Sequence, residues 1–454
     1  MGYLDENPEF HHQLLLARGD ALWLVRDDRG AWALPGFVSA EAHTAEVDLI
    51  ARHMRERFGV RVVILGRAST EHDPAANRVR KADLAEPLAE PDPSAGRWWS
   101  RAQLAAGEAG LADDSAALVR RWAAGEVGVA DDTPWSRHGW HAAALDWIAS
   151  AAGPIGEVEQ VRVSEFSTVL RVEAGGKPRY FKSVAKVAAL EPAVTAALAR
   201  RSAHLPPVIA VDPARRFILM EAFAGEPLAA PEDIATWCAA ARAFGELQRE
   251  CLDAVDELRA IGCHVASAAS LHAPLATLLA DRPALLANQP EGLSDDQIAA
   301  LHALAPELAA AAAMLDAGPL PLALEHGDLW PGNVLVGAGG CAFVDWEDVR
   351  IGHPFLSLFQ LVTGAHLDRR FADHDAAVAA IRDAYVAGWS AWGERAVLER
   401  AFDAAHDIAA ISVANLYYTQ PPAIVEAHPW MREMPAFSLG RILARRAAAA
   451  GPRG

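Results

Sequence analysis

Two short apolar runs, each edged by acidic residues, constrain this chain more than any other feature. They lie in Leu324-Glu325-His326-Gly327-Asp328-Leu329-Trp330-Pro331-Gly332-Asn333-Val334-Leu335-Val336 and in Cys341-Ala342-Phe343-Val344-Asp345-Trp346. The pattern predicts a tight loop carrying Asp328 and Asn333 before one strand, and Asp345 at the end of the next, so that a hairpin brings the three together. Phosphoryl transfer needs such a group: metal neutralises a triphosphate while one carboxylate accepts hydrogen from the attacking hydroxyl. Carboxylate and amide oxygens are the hard ligands that Mg2+ prefers. The expected roles are Asp328 as catalytic base and hydroxyl positioner, Asn333 and Asp345 as metal ligands, and His326 as a residue that orients the loop. The bland alternative is a core hairpin with ordinary capping Asp and Asn residues.

The string sits in a chain of 454 residues, about three times a typical domain length, and three zones emerge from periodicity and punctuation. The first runs to about Val129, with strand-like Gln13–Leu16, Ala21–Val25 and Trp32–Pro35. A helix follows in which Val47, Ile50, Met54 and Phe58 recur every three or four positions. Glu86–Gly96 reads as a loop and the region around Asp114–Ala124 as a helix. Asp131-Asp132-Thr133-Pro134 ends this zone.

The second zone opens with a helix at Trp140–Ala152. Three strands are expected at Val158–Val163, Thr168–Val172 and Arg179–Val184, then a helix beginning at Pro192 and two more strands, Val208–Val211 and Phe217–Glu221. From about Pro227 the pattern is Ala-rich and helical, except for the island from Leu324 to Ile351.

With these residues in place, His326, Gly327, Asp328, Asn333 and Asp345 match the H-G-D-x-x-x-x-N loop and downstream Asp of the aminoglycoside phosphotransferase and choline kinase-like family. The resemblance covers roughly Trp135 to the C-terminus. It implies a bilobal protein-kinase-like fold, with a small β-rich lobe at 135–223 and a large, mainly helical lobe at 224–454, and ATP or GTP as phosphoryl donor with Mg2+. It also implies a strand lysine to hold the triphosphate and a helix glutamate to pair with it, positions taken by Lys182 and Glu191. Ser167 and Thr168 stand where a glycine-rich loop would cover the phosphates, either as hydrogen-bond donors or as plain turn residues. Glu221 to Phe223 resembles the hinge that meets the nucleobase through its backbone. After Asp345 the family commonly reads G-D-P-x-x-D-L, and here His353 and Ser357 replace both acids.

The first zone, residues 1–130, resembles a Nudix hydrolase, an α/β/α sandwich, through Trp32-Ala33-Leu34-Pro35-Gly36, the helix ending Arg52-His53-Met54-Arg55-Glu56-Arg57-Phe58-Gly59-Val60, and Trp98-Trp99-Ser100-Arg101. His53 and Arg57 replace two of the three glutamates that such a helix uses to hold Mg2+, so Glu56 alone should not sustain diphosphate hydrolysis. The expectation is a degenerate module that packs as a scaffold or binds a ligand. The chain as a whole is thus an α/β and α+β multidomain protein.

A net charge of −18 repels a phosphate backbone and anionic lipid, which argues against nucleic acid and membrane as partners. The apolar stretches read as interrupted by charge or proline before spanning length, the N-terminus lacks an apolar signal core, and the four cysteines form no C-x-x-C pair. A cytoplasmic protein is expected. The function expected is transfer of a phosphoryl group to a hydroxyl of an aminoglycoside, amino sugar, sugar or amino alcohol. Glu347, Asp348, Asp368, Asp373 and Asp375 either favour a cationic acceptor or are solvated helix ends. The alternative is a nucleotide-binding regulatory protein whose Nudix-like domain senses a metabolite.

Overall fold

The computed structural model describes residues 8–39, 47–128, 133–137, 139–230, 233–363 and 371–450. The expected break at Asp131-Asp132 and the acidic candidate Asp368 lie outside the described residues. The chain divides into two compact units. One comprises Tyr3–Ala189 with Ile209–Glu221, the other Leu190–Val208 with Ala222–Gly454.

In the first unit a seven-stranded sheet is built from β1 (Glu9–Arg18), β2 (Ala21–Arg26), β3 (Trp32–Ala33), β4 (Gly36–Ser39), β5 (Val62–Asp73), β6 (Arg78–Pro87) and β7 (Gly96–Ser100). Its path runs β3-β2-β1-β6-β5, with β4 on β1 and β7 on β2. β1 and β6 pair in parallel with His12 opposite Lys81 and Leu14 opposite Asp83. Helix α1 (Asp48–Phe58) buries Ile50, Met54 and Phe58, the residues its period predicted, and ends at Gly59 in the left-handed region. There the Gly59 and Val60 N–H groups close back onto Arg55 and Met54. Two further helices, α2 (Arg101–Ala105) and α3 (Asp113–Ala123), complete this part, α2 with a reciprocal Ser100–Gln103 cap.

The same unit continues through α4 (Trp140–Ala152) into an antiparallel five-stranded sheet, β8 (Ile155–Val163), β9 (Ser167–Ala174), β10 (Lys177–Val184), β11 (Val208–Asp212) and β12 (Phe217–Glu221), in the order β11-β12-β10-β9-β8. The two sheets are not separate cores. One apolar cluster joins Leu14, Trp23, Ile50 and Phe58 with Trp140, Ile148, Leu170, Phe181 and Phe217. Gln160 on β8 ties them further: its amide accepts from the Ile64 N–H at 2.7 Å and donates to the Ile64 carbonyl at 2.9 Å. Ile64 lies at a bulge in β5, where register with β6 shifts and its polar groups leave the ladder.

The second unit begins with α5 (Glu191–Ala199), which carries Pro192 in its first turn as expected. Helices α6 (Ile234–Glu250), α7 (Val255–Ile261), α8 (Ala268–His272), α9 (Leu275–Ala280) and α10 (Asp295–Asp316) precede the strand island. The island pairs β15 (Val334–Gly337) with β16 (Gly340–Phe343) and β14 (Ala323–Glu325) with β17 (Arg350–Gly352), and the short β13 (Glu226–Pro227) adds to the free edge of β15. Helix α11 (Leu358–Thr363) and longer helices at His374–Val386, Arg395–Tyr418 and Met434–Ala450 follow. Contrary to the sequence reading, α10 reaches spanning length with a mean hydropathy of 1.6. Its Ile298, Leu301, Leu308 and Leu315 are buried in the core of this unit.

Candidate active site

The expected hairpin forms in the second unit, with Val334 opposite Phe343 and Leu335 opposite Ala342. The Val344 N–H donates to the Asn333 carbonyl at 3.0 Å, which fastens the strand leading to Asp345 onto the loop. Two glycines allow the loop its shape. Gly327 has φ +82°, and a Cβ there would lie 2.1 Å from the Asp348 carbonyl oxygen, so the loop and the segment after Asp345 touch backbone to backbone. At Gly332 a Cβ would lie 2.1 Å from the Trp330 ring, which folds over that position.

His326 is fully buried and orients the loop, as its position suggested. Its Nε2–H donates to the Val344 carbonyl at 3.1 Å, and its ring lies 4.3 Å from that of Trp346. The His326 backbone N–H donates to Ser357 Oγ at 3.1 Å, and His353 Nδ1 accepts from the Phe355 N–H at the start of the following turn. The two positions where acids were expected thus serve the architecture of the loop.

Asp328 is held from two sides. Asn333 Nδ2 donates to its carbonyl and to Oδ2, at 3.0 and 3.1 Å, and Gln360 Nε2 on α11 donates to Oδ1 at 2.8 Å. Burial, and then the neighbouring Asp348 and Asp345, push the Asp328 carboxyl up to about 7, opposed by the Gln360 and Asn333 bonds. Asp345 has φ +69°, a left-handed backbone that costs a non-glycine residue about 1–2 kcal/mol. Strain of this kind persists where the surroundings fix it, and here it falls on a predicted ligand.

Oxygens of Glu191, Asp345 and Glu347 all lie within 4.8 Å of one another. Three carboxylates so close repel in the absence of a cation, and hard oxygen donors of this kind suit Mg2+. Asn333, its Nδ2 committed to Asp328, still has its amide oxygen to offer. The residues present therefore fit a divalent cation, with Glu347 as a donor that the sequence reading placed only among acids near the acceptor. Gln360 carried no sequence signal at all, because a single amide on an apolar helix resembles any polar face residue.

The remaining candidates are placed as follows. Lys182 lies on β10 between Val169 and Ile218, largely buried, and belongs to the first unit; Glu191 is buried at the first residue of α5 in the second. Glu221 ends β12 with its carboxylate 2.6 Å from Arg179, and Phe223 follows outside any strand. Thr168, for which phosphate donor and turn residue were both open, lies in β9. It is fully buried, its hydroxyl donates to the Arg162 carbonyl at 3.1 Å and it accepts from Gln160 at 3.1 Å. Ser167 is buried too at the start of β9, and its N–H donates to Ser164 Oγ at 3.1 Å, so the bend lies just before this pair and both are strand residues. Asp373 caps the helix at His374–Val386 through the Ala376 N–H, a helix end rather than part of the site.

The model of the phosphotransferase enzyme family matches residues 158–399, more than half of the chain. The chain belongs to this family. The phosphotransferase is accordingly a mixed α/β protein with a kinase-like C-terminal region. Among solved structures it is similar to the macrolide 2'-phosphotransferase from Brachybacterium faecium, at 20% identity over 66% of this chain and 97% of that one, with a TM-score of 0.42. A choline/ethanolamine kinase family protein from Mesorhizobium loti matches at 21% identity over 66% and 98%, with a TM-score of 0.39. A thermostable mutant of aminoglycoside phosphotransferase APH(4)-Ia, in ternary complex with AMP-PNP and hygromycin B, matches at 16% identity over 68% and 99%, with a TM-score of 0.41. No curated protein matches the phosphotransferase.

Proposed function

We propose that this phosphotransferase moves the γ-phosphate of ATP or GTP to a hydroxyl of a small molecule such as an aminoglycoside, amino sugar, sugar or amino alcohol. The observation that carries the reading is the grip of Asn333 and Gln360 on Asp328, in the same unit as the converging oxygens of Glu191, Asp345 and Glu347. Asp328 accepts the proton of the acceptor hydroxyl as its oxygen bonds to the γ-phosphorus, and the bond from that phosphorus to the bridging oxygen breaks to release the nucleoside diphosphate. Asn333 and Gln360 keep both carboxylate oxygens in place for that hydroxyl. Mg2+ held by Asp345, Asn333 and the nearby glutamates would neutralise charge on the triphosphate. Lys182 is the residue proposed to hold the phosphates.

A cationic acceptor suits the surroundings of Asp328. Tyr417 is pushed well above its ordinary value by burial and then by Asp328 and Asp348, so its ring and Asp348 lie within electrostatic reach of the base. Tyr417 meets the exposed Trp430 edge to face at 5.5 Å. Carboxylate and aromatic faces together favour an ammonium group. For the N-terminal module, residues 1–130, the basic helix face at His53 and Arg57 supports a degenerate Nudix-like fold without hydrolytic activity.

The test is transfer of labelled γ-phosphate to such acceptors with Mg2+. Transfer that disappears in Asp328→Ala, while nucleotide binding persists, supports the reading. Failure of the wild-type chain to bind either nucleotide overturns it.

A further inference from the structure

The first unit contains a cleft of about 260 Å³ that no step of phosphoryl transfer uses. It is walled by β1 and β4 through His12, Gln13 and Phe37, and by the end of α1 through Arg57 and Phe58, with Arg80 of β6 also on its lining. His12 is 7% exposed, and its Nδ1 has no hydrogen-bond partner among the described residues. Its Nε2 lies 3.2 Å from Ser39 Oγ. With the Ser39 hydroxyl donating, the ring proton of a neutral His12 sits on Nδ1 and is available to a ligand. Neutrality is favoured, since burial, then Lys81 and Arg67, push His12 down to about 4. Phe37 holds the ring in place, stacked against His12 at 4.6 Å on one side and His53 at 4.2 Å on the other.

Next to His12 in the parallel ladder stands Lys81, 2% exposed, whose Nζ has no hydrogen-bond partner among the described residues and lies 4.5 Å from the Phe10 ring. Its neighbours are Arg67 and Asp83, themselves joined at 2.6 Å, with Asp83 Oδ2 left without a bond. Two cations thus share one carboxylate in a buried place, and a buried ammonium without a bonded acceptor is costly. Burial, followed by Arg67, pushes Lys81 down to about 8. A chain that keeps this arrangement gains from an anion that completes it.

We propose that this cleft binds the oxyanion group of a small molecule, with His12 at its wall and Arg57 and Arg80 on its lining, while Lys81, beside His12 in the ladder but not on the lining, adds positive charge from behind the wall. Phosphate and carboxylate share that chemistry. Of the three acids on the lining, Asp27 is committed to its own turn through the Arg29 and Ala31 N–H groups and Asp114 accepts from Ser115, while Asp28 stands against Arg26, Arg57 and Arg80 on the same lining.

The experiment is calorimetric titration and thermal unfolding of the full chain, without nucleotide, against inorganic phosphate, pyrophosphate and citrate. Saturable binding is expected, and the tighter of the phosphate and citrate arms names the group. Lys81→Met is expected to weaken it severalfold, the loss of a nearby positive charge rather than of a direct bond. The same variant should raise the melting temperature of the ligand-free chain, because its unpaired buried charge is gone. Should Lys81→Met fail to fold, Arg57→Glu on the exposed rim decides, with a similar loss expected. Asp345→Asn should bind as the wild type does. No saturable binding by any of the three probes, undiminished binding in both Lys81→Met and Arg57→Glu, or loss of binding in Asp345→Asn would each overturn the proposal.

Discussion

Gln360 Nε2 donates to Asp328 Oδ1 at 2.8 Å, across 32 residues of chain, and so fixes the carboxylate oxygen that Asn333 leaves untouched. Replacing Gln360 with Leu keeps the apolar packing of α11 and removes that donor. A bond to a charged group contributes about 1.5–3 kcal/mol, so kcat is expected to fall roughly 10- to 100-fold. The nucleotide KM should stay within about twofold, because the lost interaction acts on the base and not on donor binding. Steady-state kinetics on folded variant protein separates the two, and a raised KM with unchanged kcat would remove Gln360 from the account.

Gly327 tests the backbone contact beneath the loop. An alanine there meets the Asp348 carbonyl at 2.1 Å in a left-handed conformation. Gly327→Ala is expected to lower the unfolding free energy by on the order of 2–4 kcal/mol. Urea unfolding of the purified variant measures it, and wild-type stability would show that the loop relaxes freely.

The shared apolar core of the two sheets in the first unit is supplemented by one buried amide. Gln160→Ala leaves the N–H and carbonyl of Ile64 without the side chain that satisfies both. Two orphaned buried groups cost about 2–4 kcal/mol together. Hydrogen exchange at Ile64 should accelerate in the variant, and unchanged protection there would mean that the ladder re-forms without Gln160.

Acid should destabilise the second unit through two buried histidines, whose combined effect exceeds the opposite contribution of Asp328, a carboxyl raised to about 7 that favours the fold as pH falls. Burial pushes His353 down to about 4 and His406 down to about 3, the latter aided by Arg445, Arg441 and His374. Both are therefore neutral in the fold, while the unfolded chain binds their protons below about pH 6.5. Their contribution is fully present above pH 6.5 and is lost as pH falls toward 4 and 3, by up to about 1.4 kcal/mol per pH unit for each. Urea midpoints taken from pH 7 down to 4 should fall, and less steeply in His406→Leu. A flat profile would place these rings in contact with water.

The legibility of the chain followed the strength of its local patterns. Ile50, Met54 and Phe58 are the buried stripe of α1 because a helical period leaves no other face for them, and the ends of α4 at Trp140 and Ala152 were read directly. The loop at 326–333 was legible because apolar runs flank its acidic positions and its His326, Gly327, Asp328 and Asn333 follow a family spacing, and Gly327 and Gly332 stand where a Cβ would clash. By contrast, β5 and β6 were missed. Arg78, Arg80, Lys81 and Asp83 disguise β6 as a surface segment, and the bulge after Ile64 breaks the alternation of β5. Thr168 was left open as a phosphate donor or a turn residue, because the local sequence does not show that its hydroxyl is used by Gln160, eight residues away, inside the sheet. Gln360 and the closeness of Glu191 to Glu347 are tertiary facts, which no spacing along the chain encodes.

The central claim is tested most directly by ADP and GDP release from the purified chain with Mg2+, across aminoglycosides, amino sugars, sugars and amino alcohols, beside Asp328→Ala. The account predicts that at least one acceptor raises release of one nucleotide and that Asp328→Ala abolishes the increase. Acceptor-dependent release that survives Asp328→Ala would contradict it.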